Sequence, residues 1–219
     1  MTEEEQMDYV SGIWPSAPVN IRYIQNPSEA VQLAAVNYDG RVIKYIENPS
    51  EEVQLDAVTN NGWAIEYIKN PSDLVQLSAV HYNGAVIQWI KNPSDLVQLA
   101  AVTNYGESIR DINNPSEAVQ LVAVTRDIDA IKYIADPSEQ VQLAAVREDG
   151  FAIQYINNPL ETVRLAAVEK YGSAIQYIAD PSEKVQLAAV TQSGWAIRHI
   201  KNPSERVKIL AELCKEHVQ

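Results

Sequence analysis

The stretch Asn26–Glu47, NPSEAVQLAAVNYDGRVIKYIE, decides the fold, because it is one copy of a unit that returns along the whole chain. Asn-Pro or Asp-Pro stands at Asn26, Asn48, Asn70, Asn92, Asn114, Asp136, Asn158, Asp180 and Asn202, each 22 residues after the one before. A constant period of this length marks stacked supersecondary units that bury a core only against their neighbours. Within the unit, Asn26 reads as a helix N-cap, Pro27 as the first helical residue and Glu29 as the acid that closes a capping box. The helix then runs through Val31, Leu33, Ala35 and Val36 and stops near Gly40, where glycine suits a left-handed C′ position. A second short helix carries Val42, Ile43 and Ile46 to the next Asn-Pro. Helices this short are marginal in isolation, so stacking has to supply the stability.

The division that follows is a cap and partial repeat over 1–25, eight complete repeats over 26–201, and a half repeat with a capping helix over 202–219, all in one continuous domain. The fold class is all-α, a solenoid of paired short helices. Val31 recurs in every copy through Val207, and Leu33, Ala35, Ile43 and Ile46 recur almost as strictly, as packing columns should. In the last copy Glu212 replaces the valine of the Val36 column and Lys215 follows it, the expected wetted end of a stack.

The Asn-Pro-Ser-Glu-x-Val-Gln-Leu-Ala-Ala-Val pattern resembles the leucine-rich repeat variant and related short helical repeats found in bacterial and phage proteins. That resemblance implies a right-handed superhelix and allows one helix of each pair to be 3₁₀. It implies no catalytic residues, and the regular glycine at Gly40 and its equivalents departs from the variant family's pattern.

Composition narrows the function. The formal net charge is -12, which disfavours free nucleic acid and anionic membranes as direct partners. No apolar run approaches the ~18 residues of a membrane span, and the sole cysteine, Cys214, cannot close an internal disulfide, so a cytoplasmic location is the expectation. Nucleotide loops, hydrolase elbows and His/Cys ligand spacings are missing from the sequence, and His81, His199 and His217 read as surface or cap residues. The reading is therefore a non-enzymatic protein with no catalytic, metal or cofactor site. Homo-oligomerisation is not indicated.

Three columns invite a functional reading. Gln32, Gln54, Gln76, Gln98, Gln120, Gln142 and Gln186, with Arg164 in the remaining rung, fall inside the apolar arc of the first helix. A polar group there requires a partner, and the backbone at the turn between units is nearest. The acids from Glu29 to Glu205 fit the capping spacing, although a row of carboxylates also suits a nucleic-acid mimic. Without these nine and Glu3, Glu4 and Glu5, the 29 acids fall to 17, equal to the 17 lysines and arginines. The third column is aromatic, including Tyr67, Trp89, Tyr133 and Tyr155, with Trp63, Phe151 and Trp195 four residues before a member of it.

The pattern breaks in mid-array. Asp111 replaces the aromatic, Ile128 replaces the glycine, and Glu107 and Asp129 occupy the variable column before the ring. If the second helix is α-helical, Glu107 and Asp111 share a face, and an acidic pocket flanked by Trp89 and Tyr133 would receive a partner's Arg or Lys. The candidate partner-binding residues are thus Trp63, Tyr67, Trp89, Glu107, Asp111, Asp129, Tyr133, Phe151, Tyr155 and Trp195. The leading expectation is a protein-binding scaffold, in a sharper form a phage or mobile-element inhibitor of a host protein; an acidic nucleic-acid mimic and a structural spacer are the competing readings.

Overall fold

A computed structural model of the chain describes residues 1–11 and 17–216, so His217 lies outside the described residues. These residues are all-helical, with no strand among them, and short helices pack consecutively as in a helical-repeat solenoid. The chain divides into two compact units, Met1–Asn114 and Pro115–Gln219. The first holds α1 (Glu3–Val10), α2 (Glu29–Tyr38), α3 (Glu51–Asn60), α4 (Asp73–Tyr82) and α5 (Asp95–Asn104). The second holds α6 (Glu117–Arg126), α7 (Glu139–Glu148), α8 (Glu161–Lys170), α9 (Glu183–Gln192) and α10 (Glu205–Glu216). A six-residue 3₁₀ segment follows each of α2 to α9, beginning with Gly40–Tyr45. Within each unit every α-helix packs on the next, and the 3₁₀ segments form a second layer.

The second helix is 3₁₀ because its apolar residues repeat every three positions. Val42 N–H donates to Asp39 O (3.0 Å) and Ile46 N–H to Ile43 O (2.9 Å), both i→i−3 bonds. At three residues per turn Gly40, Ile43 and Ile46 stand on one face, and all three are buried. The α-helices contribute the rest of the core: Val31, Ala35, Val36 and their apolar equivalents are at most 1% exposed. The Leu33 column behaves differently from expectation. Its leucines are only half-buried and form a partly exposed ridge on the α layer, the core positions of each α-helix being taken by the two valines and the alanine.

The helix starts also differ from the capping frame read in the sequence. Asn26 is not the N-cap; it adopts left-handed backbone, φ 50°, as do Asn48, Asn70, Asn92, Asn114, Asn158, Asp180 and Asn202 (φ 46–52°). Asparagine and aspartate tolerate this region better than other residues with a Cβ. The N-cap is Ser28, whose hydroxyl accepts from Val31 N–H at 3.4 Å, with Glu29 opening the helix. The acid column therefore closes no capping box. It reaches instead to the next copy, where Ser72 donates to Glu51, Ser138 to Glu117, Ser182 to Glu161 (2.7 Å) and Ser204 to Glu183 (2.7 Å). At α8 Leu160 occupies the cap position, and Thr162 supplies the hydroxyl to Glu139 at 2.6 Å.

Gly40 serves close approach rather than a left-handed turn. The residue before it, Asp39, is extended, and a Cβ on Gly40 would lie 2.1 Å from Ala57 O of the next helix. The same backbone carbonyl stands 2.4 Å from such an atom at Gly84, Gly150 and Gly172. Ile128 takes the glycine's place at the start of Ile128–Tyr133 and is half-buried there. An amide clamp completes the joint: Asn60 accepts from Gly40 N–H (2.8 Å) and donates to Asn37 O (2.8 Å), and Asn104 treats Gly84 and His81 O in the same way.

Candidate interaction surface

The 3₁₀ geometry sorts the variable residues into two rows. Positions three apart eclipse, so Arg41, Lys44 and Glu47 share the outward face, as do Trp63, Glu66 and Lys69 in the next copy. The ring column, represented by Tyr45, stands beside that face on the edge that leads to the Asn-Pro turn. Rings in this column are substantially exposed: Tyr45 37%, Trp89 45%, Tyr133 44%, Tyr155 42% and Tyr177 45%. Trp63 and Trp195 are exposed too, at 38% and 61%, whereas Tyr67 and Phe151 are half-buried.

Because the segment is 3₁₀, residues four apart do not stack, and the pairs expected at that spacing take other partners. Phe151 stacks on Tyr171 of the next copy (centroids 5.3 Å apart) and meets Tyr177 edge-on at 6.1 Å. Lys44 lies over both Tyr45 (5.0 Å) and Tyr67 (5.7 Å), and Lys132 lies 4.7 Å over Tyr155. The Arg41 guanidinium is held above its ordinary range first by its hydrogen bond to the Tyr67 hydroxyl and then by its charge interaction with that group. Lys132 is likewise raised, chiefly by the hydrogen bond to Asp129, with Tyr155 adding to it. Cations thus bridge from one copy to the ring of the next.

A shallow notch repeats between copies along the turn edge. One is lined by Lys44, Glu47, Asn48, Pro49, Gln54 and Tyr67; others are built on Pro27, Gln32 and Tyr45, and on Pro181, Gln186 and His199. The glutamine ladder forms the wall. Each side-chain amide donates to the carbonyl of the proline five residues earlier, from Gln32 to Pro27 O (2.9 Å) to Gln186 to Pro181 O (3.0 Å), and Arg164 keeps the rung with its Nε on Pro159 O at 2.9 Å. The ladder is therefore structural, as expected from its place in the apolar arc. Gln76 and Gln98 are buried and the remaining rungs half-buried.

The mid-array acids are each engaged locally. In the first unit Tyr105 donates to Glu107 (2.6 Å), and Arg110 pairs with Asp111 at 3.2 Å. In the second, Lys132 pairs with Asp129 at 2.7 Å. The shared helical face that would have joined Glu107 to Asp111 does not exist, since four residues of 3₁₀ helix turn well past a full revolution. Nothing in the sequence had pointed to the asparagine clamps or to the bridge from serine to glutamate; the Gly-x-x-Ile-x-x-Ile period, broken in the complete repeats only by Ile128, was the available sign of the 3₁₀ layer.

Among the described residues no group of His, Cys, Asp or Glu is disposed to hold a metal ion, and no helix is long and apolar enough to cross a membrane. The molecule belongs to the class of all-helical tandem-repeat proteins. No protein-family model matches the sequence, and no curated protein or solved structure matches it either.

Proposed function

We propose that the chain is a non-enzymatic protein-binding scaffold that engages a partner along the ring edge of its 3₁₀ layer. The observation that carries this reading is the exposure of large rings in the same column within each unit, Tyr45 (37%) and Trp89 (45%) in the first and Tyr133, Tyr155 and Tyr177 (42–45%) in the second, beside an Ile46 column that is buried. Regularly placed, half-exposed Tyr and Trp are the side chains in which interface energy concentrates, since they offer large area with few rotors to immobilise. The variable positions beside them, Trp63, Glu66 and Lys69 or Ala85, Gln88 and Lys91, would supply specificity on a constant support. Nucleic-acid mimicry draws less support, because several carboxylates of the regular acid column are already occupied by the serine or threonine of the next copy. The test is co-purification from the source cell, with the native chain and a W63S/Y67A/W89A variant run side by side and partners identified by mass spectrometry. The scaffold reading expects a partner that survives 0.5 M salt and is missing from the variant; a partner retained by the variant, or one lost from both in salt, overturns it.

A further inference from the structure

The same eight residues, NPSDLVQL, occur twice, at Asn70–Leu77 and Asn92–Leu99, and they put an exposed leucine at the same place on two adjacent helices. In the column after the acid, the other copies carry Ala30, Glu52, Ala118, Gln140, Thr162, Lys184 or Arg206; here Leu74 and Leu96 stand 56% and 60% exposed. α4 packs directly on α5, so the two leucines lie on neighbouring helices, and each continues along its own helix into the half-buried Leu77 and Leu99 three residues on. The result is a four-leucine strip on the outside of the α layer.

The acid beside each leucine changes as well. Asp73 and Asp95 stand in the column where Glu51, Glu117, Glu161 and Glu183 reach the next serine, and the shorter Asp73 carboxylate makes no such contact with Ser94. Ser94 shows the consequence: its hydroxyl caps no backbone amide, and its oxygen is buried without a hydrogen-bond partner. This is a departure from the frame that lowers local satisfaction and is made twice in succession. Local rule-breaking without structural benefit is where function concentrates.

Charge identifies what such a strip suits. All six lysines and arginines of Met1–Asn114, namely Arg22, Arg41, Lys44, Lys69, Lys91 and Arg110, fall in 3₁₀ segments or the turns after them. Helices α1 to α5 carry none, while Glu51, Glu52, Asp56, Asp73 and Asp95 lie on α3 to α5 around the leucines. An apolar strip inside a field of one sign accepts an amphipathic segment of the opposite sign and repels an anionic lipid surface.

We propose that α4 and α5 form a second docking surface, separate from the ring edge, for a basic amphipathic helix of a partner protein: its apolar residues seat on Leu74, Leu77, Leu96 and Leu99, and its lysines or arginines face Asp73, Asp95 and the acids of α3. The probe is a fluorescein-labelled 14-residue peptide of leucine and lysine, patterned so that the leucines share one helical face, titrated into the full chain by fluorescence anisotropy. A scrambled peptide of equal composition is the control. The patterned peptide should bind at micromolar concentration, and L74A/L96A, which restores the alanine of Ala30 and Ala118, should weaken it at least tenfold while the circular dichroism melt stays in place. D73N/D95N should weaken it less and flatten its salt dependence. Failure of the patterned peptide to bind at 100 µM overturns the proposal, as does equal binding by the scrambled peptide or by L74A/L96A. Sedimentation of the chain alone gives a further check: a dimer that L74A/L96A dissolves would show that a second copy covers the strip, and the basic-helix reading would fall.

Discussion

Replacing Gly40 by alanine tests the close-approach reading of the glycine column most directly. The added Cβ would sit 2.1 Å from Ala57 O, 3.0 Å from Ala57 C and 3.2 Å from Asn61 N, all backbone atoms of the next copy that no rotamer change can withdraw. Reaching even the 3.0 Å floor of real Cβ contacts needs a displacement of about 0.9 Å between the 3₁₀ segment and α3. That displacement also lengthens the bond from Gly40 N–H to Asn60, now 2.8 Å, and loosens the burial of Val42 and Ile43. Overpacking of this kind costs about 1–3 kcal/mol, and alanine returns about 0.4–1 kcal/mol by restricting the unfolded chain. The net expectation is a loss of about 1–2 kcal/mol. Gly62 provides an internal contrast, because its nearest neighbours are the Tyr82 ring at 2.8 Å, which can swing away, and Ala79 O at 2.9 Å. Urea unfolding of the two variants, followed by circular dichroism, should rank Gly40→Ala well below Gly62→Ala. Equal midpoints, or a gain in stability for Gly40→Ala, would refute the argument and return the glycine to a conformational role.

Two further substitutions probe the polar frame. Gln98→Leu orphans Pro93 O, now 2.9 Å from the side-chain amide, and should cost about 1–2 kcal/mol in chemical unfolding, the lower half of the usual range because it also removes a buried, unpartnered Oε1. Gln98→Arg, which places at this rung the residue found at Arg164, should cost less than half as much if the guanidinium keeps the bond to the proline carbonyl, and an equal cost would sink that account. Ser72→Ala loses both the cap of Val75 N–H and the bond to Glu51 and should destabilise by about 1 kcal/mol, whereas Ser94→Ala, which loses neither, should be near neutral. Identical melts for the two serine variants would show that the bridge from serine to glutamate contributes nothing.

The period, the helical pairing and the glutamine ladder were legible because each rests on a local rule that the sequence states outright. Asn-Pro at constant spacing punctuates, and a polar residue placed inside an apolar arc must find the backbone. The helix start was misplaced because N-P-S-E satisfies two capping frames at once, one beginning at Asn26 and one at Ser28. What selects the second is tertiary: a left-handed Asn26 turns the chain so that Pro27 O points at Gln32, and Ser28 meets the preceding acid. Gly40 misled for a similar reason, since a glycine after a helix signals a left-handed cap unless the distance to a neighbouring copy is known. The ring column was readable as a candidate surface from its place between Ile43 and Ile46, but the assumption of α-helical spacing paired its members wrongly, and the period-three apolar pattern that corrects this was present throughout. The leucine strip of α4 and α5 was equally visible as a repeated octapeptide; its meaning required the exposure of Leu74 and Leu96.

The bridge from serine to glutamate gives the array a direction in time. When the ribosome releases Ser72, the carboxylate that will fix its hydroxyl, on Glu51, belongs to a copy already made, so α4 can finish its own start on arrival, as can α7, α9 and α10. The glycine amides run the other way: Gly40 N–H waits for Asn60, which is synthesised 20 residues later. Where both contacts occur, a nascent chain carries a helix start that is already complete and a glycine amide that still waits for its acceptor. A product truncated between Gly40 and Asn60 would present the Gly40 amide without its side-chain acceptor.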